Sequence, residues 1–241
     1  LVTDRKIGLF KIKEIWFSDN IFDVKDCHSV SFITNKDNFN LDGFNCVKSQ
    51  TLTIDLIQSL DIIWDGFSKK SCRYEIKRAG RDGVKIQINQ DYSKYCDLDR
   101  SFRKLKRLQR TFDDEYIKDY GTLFTAYIQD ELIAGQVYLE DKNNIRWIIG
   151  ASKRLESNNP IIGCANRALI WEAIKYAKDR NIKVFDFGGY YAGNEVKDAL
   201  AVNFFKQSFG GKIVDRFVYS KIYSLKYKLS KRIVNLVRRT D

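Results

Sequence analysis

The sequence is poor in the residues from which many catalytic and metal-binding arrangements are built. It holds one histidine, His28, which precludes a multi-histidine metal site and, lying in a polar N-terminal stretch, argues against a catalytic triad. The five cysteines, Cys27, Cys46, Cys72, Cys96 and Cys164, are odd in number and far apart, with no Cys-x-x-Cys. That spacing argues against zinc or a disulfide scaffold, so no metal is expected and reduced thiols in a cytosolic protein are the default. No apolar run approaches the roughly 20 residues of a membrane span, and no signal peptide is evident. Methionine is absent even at position 1, which suggests that the chain lacks its native start.

What is present supports a folded α/β protein. Hydrophobic residues make up 44% of the 241 and proline occurs once, so burial can offset the entropy of ordering the chain. The length suits one large domain or a domain with an extension. Residues 1–50 read as a β-rich extension of short strands, 51–222 as the main domain and 223–241 as a basic amphipathic helix. The net charge of +11 points to an anionic partner: cofactor phosphate, tRNA, a nucleotide-sugar or an acidic membrane surface.

The stretch from Lys183 to Gly211 carries the strongest chemical signal. Val184, Phe185 and Phe187 have core-strand character, and Gly188 and Gly189 let the chain leave the sheet, placing Asp186 at a strand's carboxyl end. Val196, Ala199, Leu200 and Phe204 then recur at helical spacing up to a glycine stop at Gly210 and Gly211. Lys206 falls in the last turn. Ligands of α/β folds gather at strand carboxyl ends, so Asp186 and Lys206 are candidates for chemistry. Capping a turn, for Asp186, and complementing the helix dipole, for Lys206, remain open as the plainer roles.

Ser68 reads as the N-cap of a helix whose buried stripe is Cys72, Ile76 and Ala79. On another face Lys69, Arg73 and Lys77 stack at one-turn spacing, a self-repelling row that a bound anion relieves, unless it is merely solvated. Asp97 to Phe112 reads as a second helix with Leu98, Phe102, Leu105, Leu108 and Phe112 inward and Arg100, Arg103, Lys104, Lys106, Arg107 and Arg110 outward. Thr122–Gln129 and Leu132–Glu140 form a hairpin about an Asp130-Glu131 turn, with Arg146–Ala151 as the next strand. Ser157, Asn158 and Asn159 cap a helix opened by Pro160, with Leu169, Ala173, Ile174 and Ala177 facing the core. Lys212–Tyr223 alternates as a closing strand. The tail then carries a Leu225, Leu229, Ile233, Leu236 stripe among Lys226, Lys228, Lys231, Arg232, Arg238 and Arg239, suited to an anionic membrane, to the domain or to another chain.

Asp186-Phe187-Gly188-Gly189, followed by Phe204-Phe205-Lys206 and Phe209-Gly210-Gly211, resembles the C-terminal half of the Fem family, whose members attach amino acids to peptidoglycan precursors. It also resembles the related single-domain acetyltransferases of the GNAT superfamily. A second block agrees: from Trp64 to Val84, a serine, basic residues and Arg73 precede a helix ending in Ala79-x-x-x-Gly83-Val84. The resemblance spans roughly residues 50–220. It implies a GNAT-like mixed, mostly antiparallel sheet with helices on both faces, the first 50 residues standing as a reduced remnant of an N-terminal GNAT-like domain. Gly163 and Ala165 partly match the loop whose amides hold coenzyme A pyrophosphate, although its leading Gln or Arg is missing.

The function so implied is N-acyl transfer. An acyl or aminoacyl group moves from acyl-CoA or aminoacyl-tRNA to an amine on a cell-envelope glycan, nucleotide-sugar or peptidoglycan precursor. No cofactor is tightly bound, and acyl-CoA would serve only as co-substrate. Phe205 and Lys206 match the family's transfer site, where the ammonium stabilises the oxyanion. Asp186 is the nearest proton acceptor, Tyr190 or Tyr191 a hydrogen-bond donor, and Gly188 and Gly189 line the substrate. Arg73 and Lys77 are candidates for substrate phosphate. The competing expectation is a non-catalytic GNAT-like module that binds nucleic acid or an anionic membrane surface. The expected location is the cytoplasm or the inner face of the membrane, with oligomeric state open.

Overall fold

The computed structural model describes residues 1–37, 39, 41–153 and 160–237. The chain divides into two compact units, Leu1–Gln50 with Val214–Asp241, and Thr51–Ile213. In the first, β1 (Val2–Ile7), β2 (Phe10–Trp16), β3 (Ser29–Thr34) and the late strand β10 (Lys212–Ile222) lie in the order β1-β2-β3-β10. β1 and β2 form an antiparallel hairpin, β2 and β3 are parallel, and β3 and β10 antiparallel. Ile15, Val30, Phe32, Phe217 and Tyr219 form this unit's core. The helix α7 (Leu225–Val237) follows. Its Tyr227 is buried while Leu225 and Leu229 are exposed, so the early part of the expected stripe is not its packed face. The Ile233, Leu236, Arg232, Arg238 and Arg239 positions lie outside the described side chains.

The second unit is built on β4 (Asn45–Asp55), which enters it at Thr51, β5 (Lys85–Ile88), β6 (Thr122–Ile128), β7 (Glu131–Glu140), β8 (Asn144–Ser152) and β9 (Val184–Tyr190). Their order is β4-β9-β8-β7-β6-β5. The pairs from β5 to β8 are antiparallel, and β8 pairs β9 in parallel. Ten strands among the described residues, mostly antiparallel and combined with helices, give the mixed α/β fold expected. Helices cover both faces of β7. The amide of buried Gln136 donates to the carbonyl of Asn166 on α5 (Ile161–Asp179). At Gly135, its neighbour on the opposite face, a Cβ would meet the Tyr95 ring of α3 (Tyr92–Lys106) at 2.5 Å.

The expected helices and strands recur with instructive shifts. The β6–β7 turn is Gln129-Asp130, not Asp130-Glu131, because a tight hairpin takes two residues at positive φ, here 45° and 65°. α3 starts at Tyr92 and ends at Lys106, capped by Arg107, whose φ is 53°. Its face is rotated from the expected one: Leu105 and Leu108 are exposed, while Arg103 and Arg110 turn in to the fully buried Asp99. A carboxylate without water needs both guanidiniums more than the surface needs them. Ser68 makes no side-chain cap; a π-helical turn, Lys69–Arg73, follows it and runs into α2 (Tyr74–Arg81). Two short helices, α1 (Leu60–Gly66) and α4 (Asp114–Tyr120), complete the region, and β1, β5 and α4 carried no signal in the sequence. Leu169, Ala173, Ile174 and Ala177 of α5 are fully buried as expected. The capping residues Ser157, Asn158 and Asn159 lie outside the described residues.

A candidate transfer site beside two parting strands

In β9, Phe185 and Phe187 point into the core against each other, so Asp186 between them faces the other way. The parallel ladder with β8 runs Asn144↔Val184, Ile145↔Phe185, Arg146↔Asp186 and ends there, although β8 continues to Ser152 and β9 to Tyr190. Asp186 thus stands at the last paired rung, four residues before the end of its strand. It is 3% exposed. Its Oδ1 accepts from the Gly188 N–H at 2.7 Å and from the Thr51 hydroxyl; its Oδ2 is ion-paired to Arg146. The Thr51 hydroxyl also lies 2.7 Å from the Gly188 carbonyl. Burial pulls the Arg146 guanidinium below its ordinary value, with Asp186 opposing.

Gly188 lies in β9 just beyond the last rung paired with β8. Its φ is +78°, and a Cβ there would sit 2.8 Å from the Trp147 carbonyl, so no other residue fits without strain.

α6 (Lys197–Gln207) carries the polar side of the site. Sequence periodicity marked Val196, Leu200 and Phe204, yet these are 51%, 38% and 70% exposed, whereas Asn203 and Lys206 are buried. Asn203 clamps the chain after β9, its Oδ1 accepting from the Tyr191 N–H at 3.1 Å and its Nδ2 donating to the Tyr191 carbonyl at 2.7 Å. The Gln207 amide donates to the Tyr190 hydroxyl at 2.7 Å. Lys206 Nζ donates to the Gly189 carbonyl at 2.6 Å and lies 5.6 Å from the centre of the Trp147 ring. Burial pulls its ammonium down to about 8, the Arg146 cation pulls the same way, and Asp186 opposes. At neutral pH Lys206 is still mostly charged. Little of that charge is hydrated, which raises its electrostatic effect on a reacting group beside it.

Phe205 is held between Trp147, at 6.3 Å between ring centres, and Phe209 at 5.6 Å. The Arg167 guanidinium of α5 lies 4.6 Å over its face and pairs with Glu75 of α2 at 2.8 Å. Gly163, in the first turn of α5, has the Glu75 carboxylate 3.3 Å from where its Cβ would be; Ala165, two residues on, is fully buried in the core.

The structure therefore brings Lys206, Asp186, Gly188, Gly189, Phe205, Tyr190 and Tyr191 together around one strand end. Arg73 and Lys77 are employed differently. Arg73 donates to the Phe67 carbonyl at 3.1 Å and pairs with Asp65 at 2.8 Å, tying down the end of α1. Lys77 is exposed, 6.0 Å from the Trp64 ring. Sequence reasoning missed Thr51, Arg146, Trp147, Asn203 and Arg167. Asn203 was open to detection, since it lies three residues before Lys206 on one helical face; Arg146 required the β8–β9 register.

No curated protein matches the sequence. Among solved structures, FemX has a TM-score of 0.64 at 11% identity over 96% of this chain and 86% of that one. L-PGS from Bacillus licheniformis has a TM-score of 0.57 at 13% identity, over 94% and 82%. The C-terminal domain of a putative lysylphosphatidylglycerol synthetase from Agrobacterium fabrum gives 0.54 at 12%, over 92% and 80%. These likenesses show a shared fold. The model of the FemAB family matches residues 92–234, more than half of the chain and all of the strand-end site except Thr51, so the chain belongs to the FemAB family.

Proposed function

We propose that the protein is an N-acyltransferase, moving an aminoacyl or acyl group from an activated ester or thioester to an amine of a cell-envelope glycan or peptidoglycan precursor. The observation that carries this reading is the buried ammonium of Lys206, held at the point where β8 and β9 part. Membership of the FemAB family and the missing Gln or Arg ahead of Gly163 favour aminoacyl-tRNA over acyl-CoA as donor.

In this reading the acceptor amine attacks the donor carbonyl, an N–C bond forms and the carbonyl oxygen takes the negative charge. Lys206 Nζ donates a hydrogen bond to that oxyanion, which then collapses with loss of the donor's alcohol or thiol as its C–O or C–S bond breaks. The amine's proton leaves with the alcohol or thiol, relayed by water or a tyrosine hydroxyl. No protein nucleophile is required, and positioning supplies much of the acceleration. Asp186 acts through others: with Thr51, Gly188 and Arg146 on its oxygens, it sets the strand end instead of taking the proton. Asn203 and Gln207 hold Tyr191 and Tyr190 at the rim, while Phe205, stacked by Arg167, fixes the helix that presents Lys206.

The test is transfer from aminoacyl-tRNA and from acyl-CoA to a soluble peptidoglycan precursor bearing a free amine, by the parent and by Lys206→Met. Transfer by the parent that collapses in the variant supports the reading. A parent protein that transfers from neither donor, yet binds tRNA, would favour the non-catalytic alternative, to which the exposed Lys69, Lys70 and Lys77 lend their charge.

A further inference from the structure

The open side of α6 carries an apolar ridge beside the exposed Lys197 and Asp198. Val196, Leu200 and Phe204 follow one another at intervals of four, so they form a single ridge along the helix, and all three are exposed, Phe204 to 70%. The next position on that row is Ser208, whose N–H donates to the Phe204 carbonyl. Ser208 is buried because Ser68 reaches it: the Ser68 N–H donates to the Ser208 carbonyl at 2.8 Å. The π-helical turn that starts next presents Lys69 and Lys70, both exposed. Through the Ser68–Ser208 bond the ridge is therefore followed by two exposed cations with no ion-pair partner among the described residues. A solvated helix in a monomer does not ordinarily turn its large apolar side chains outward and its asparagine and lysine inward.

We infer that this face of α6, with the Lys69–Lys70 turn, docks on an anionic lipid surface. Phe204 and Leu200 enter the boundary between headgroups and acyl chains, and the two lysines meet lipid phosphate. The occupant follows from charge: an apolar ridge flanked by unpaired cations, in a chain of net charge +11, complements a negatively charged bilayer. Because Lys206 lies on the opposite side of the same helix, docking holds the reaction site about 10 Å, one helix diameter, from the headgroups. This surface is distinct from α7, whose exposed Leu225 and Leu229 offer a second place for a membrane to bind, and the experiment separates the two.

The full chain is sedimented with vesicles of phosphatidylcholine alone and of phosphatidylcholine with one-third phosphatidylglycerol, at low and at raised salt. The inference expects binding to the anionic vesicles only, weakened by salt. Leu200→Ser with Phe204→Ser, and separately Lys69→Gln with Lys70→Gln, should each reduce the bound fraction about tenfold or more. Melting temperatures should stay near the parent's, since these side chains are exposed. Leu225→Ser with Leu229→Ser should leave most of the binding intact. The inference is overturned if the parent ignores anionic vesicles, if the α6 variants bind like the parent, or if only the α7 variant loses binding. It is equally overturned if the parent is a dimer that Phe204→Ser makes monomeric, because the ridge then belongs to a second copy. None of these readouts requires catalysis, so they stand apart from the fate of the proposed function.

Discussion

Arg146 and Asp186 face each other across the last paired rung of the parallel β8–β9 ladder and are joined by an almost fully buried ion pair. Beyond them the strands part, and Lys206 is held over the opening by the Gly189 carbonyl. The rung thus fixes both the geometry of the opening and part of the charge that Lys206 feels.

Removing the carboxylate leaves a cation buried without its partner. Asp186→Asn should therefore cost about 3–5 kcal/mol, read as a lower urea midpoint with an unchanged slope. Thr51→Val, which removes one hydroxyl from the same oxygen, should cost about 1–3 kcal/mol. If Asp186→Asn melts like the parent, the rung does not hold the strand end.

Gly188→Ala combines a positive φ with a Cβ driven onto the Trp147 carbonyl. A destabilisation of about 1–3 kcal/mol is expected. Gly189, whose Cβ would meet nothing within 4 Å, serves as the control: Gly189→Ala should stay within about 0.5 kcal/mol of the parent.

The basic row gives a sharper contrast than its spacing suggested. Arg73→Ala breaks the bonds to Phe67 and Asp65 and should lower stability by about 0.5–1.5 kcal/mol. Lys77→Ala should be neutral within about 0.5 kcal/mol by thermal melting. Equal effects of the two would show that the row acts as one charged stripe.

The lowered ammonium of Lys206 has two pH consequences. If the charged form stabilises the oxyanion, the single-turnover rate falls as pH rises through about 8; a rate that rises through the same value would make Lys206 a base. For folding, the group binds its proton less tightly in the native state than in the unfolded one, whose value is near 10.5. Between about 8 and that value the unfolded chain holds more protons, so the stability of the parent relative to Lys206→Met should rise with pH in that window. Urea titrations of both proteins on either side of it check the sign.

Much of the fold was readable from local pattern. The glycine stop after α6 has Gly210 and Gly211 at φ of +71° and +91°, and the buried stripe of α5 matched its periodicity. Lys206 and Asp186 were legible through Asp-Phe-Gly-Gly and Phe-Phe-Lys. What the pattern could not supply was orientation. Apolar spacing marks a helix face but not whether a reaction site claims the other one, so the helical spacing of Leu200 and Phe204 did not reveal that they are exposed. Nor does a sequence display strand register, and without it Arg146 is one arginine among many. The exposure of Leu105 and Leu108 has the same origin, in a buried Asp99 that recruits Arg103 and Arg110 from the face counted as polar.

The most direct test of the account is the single-turnover transfer rate of Lys206→Met beside its melting temperature, with aminoacyl-tRNA and acyl-CoA each offered as donor. Methionine keeps the apolar stem and removes the charge. The account predicts a rate lower by about 10² to 10³, with a melting temperature equal to the parent's or higher because a buried charge has gone. A variant that transfers at near the parent's rate, or one whose lost activity merely follows lost folding, would contradict it.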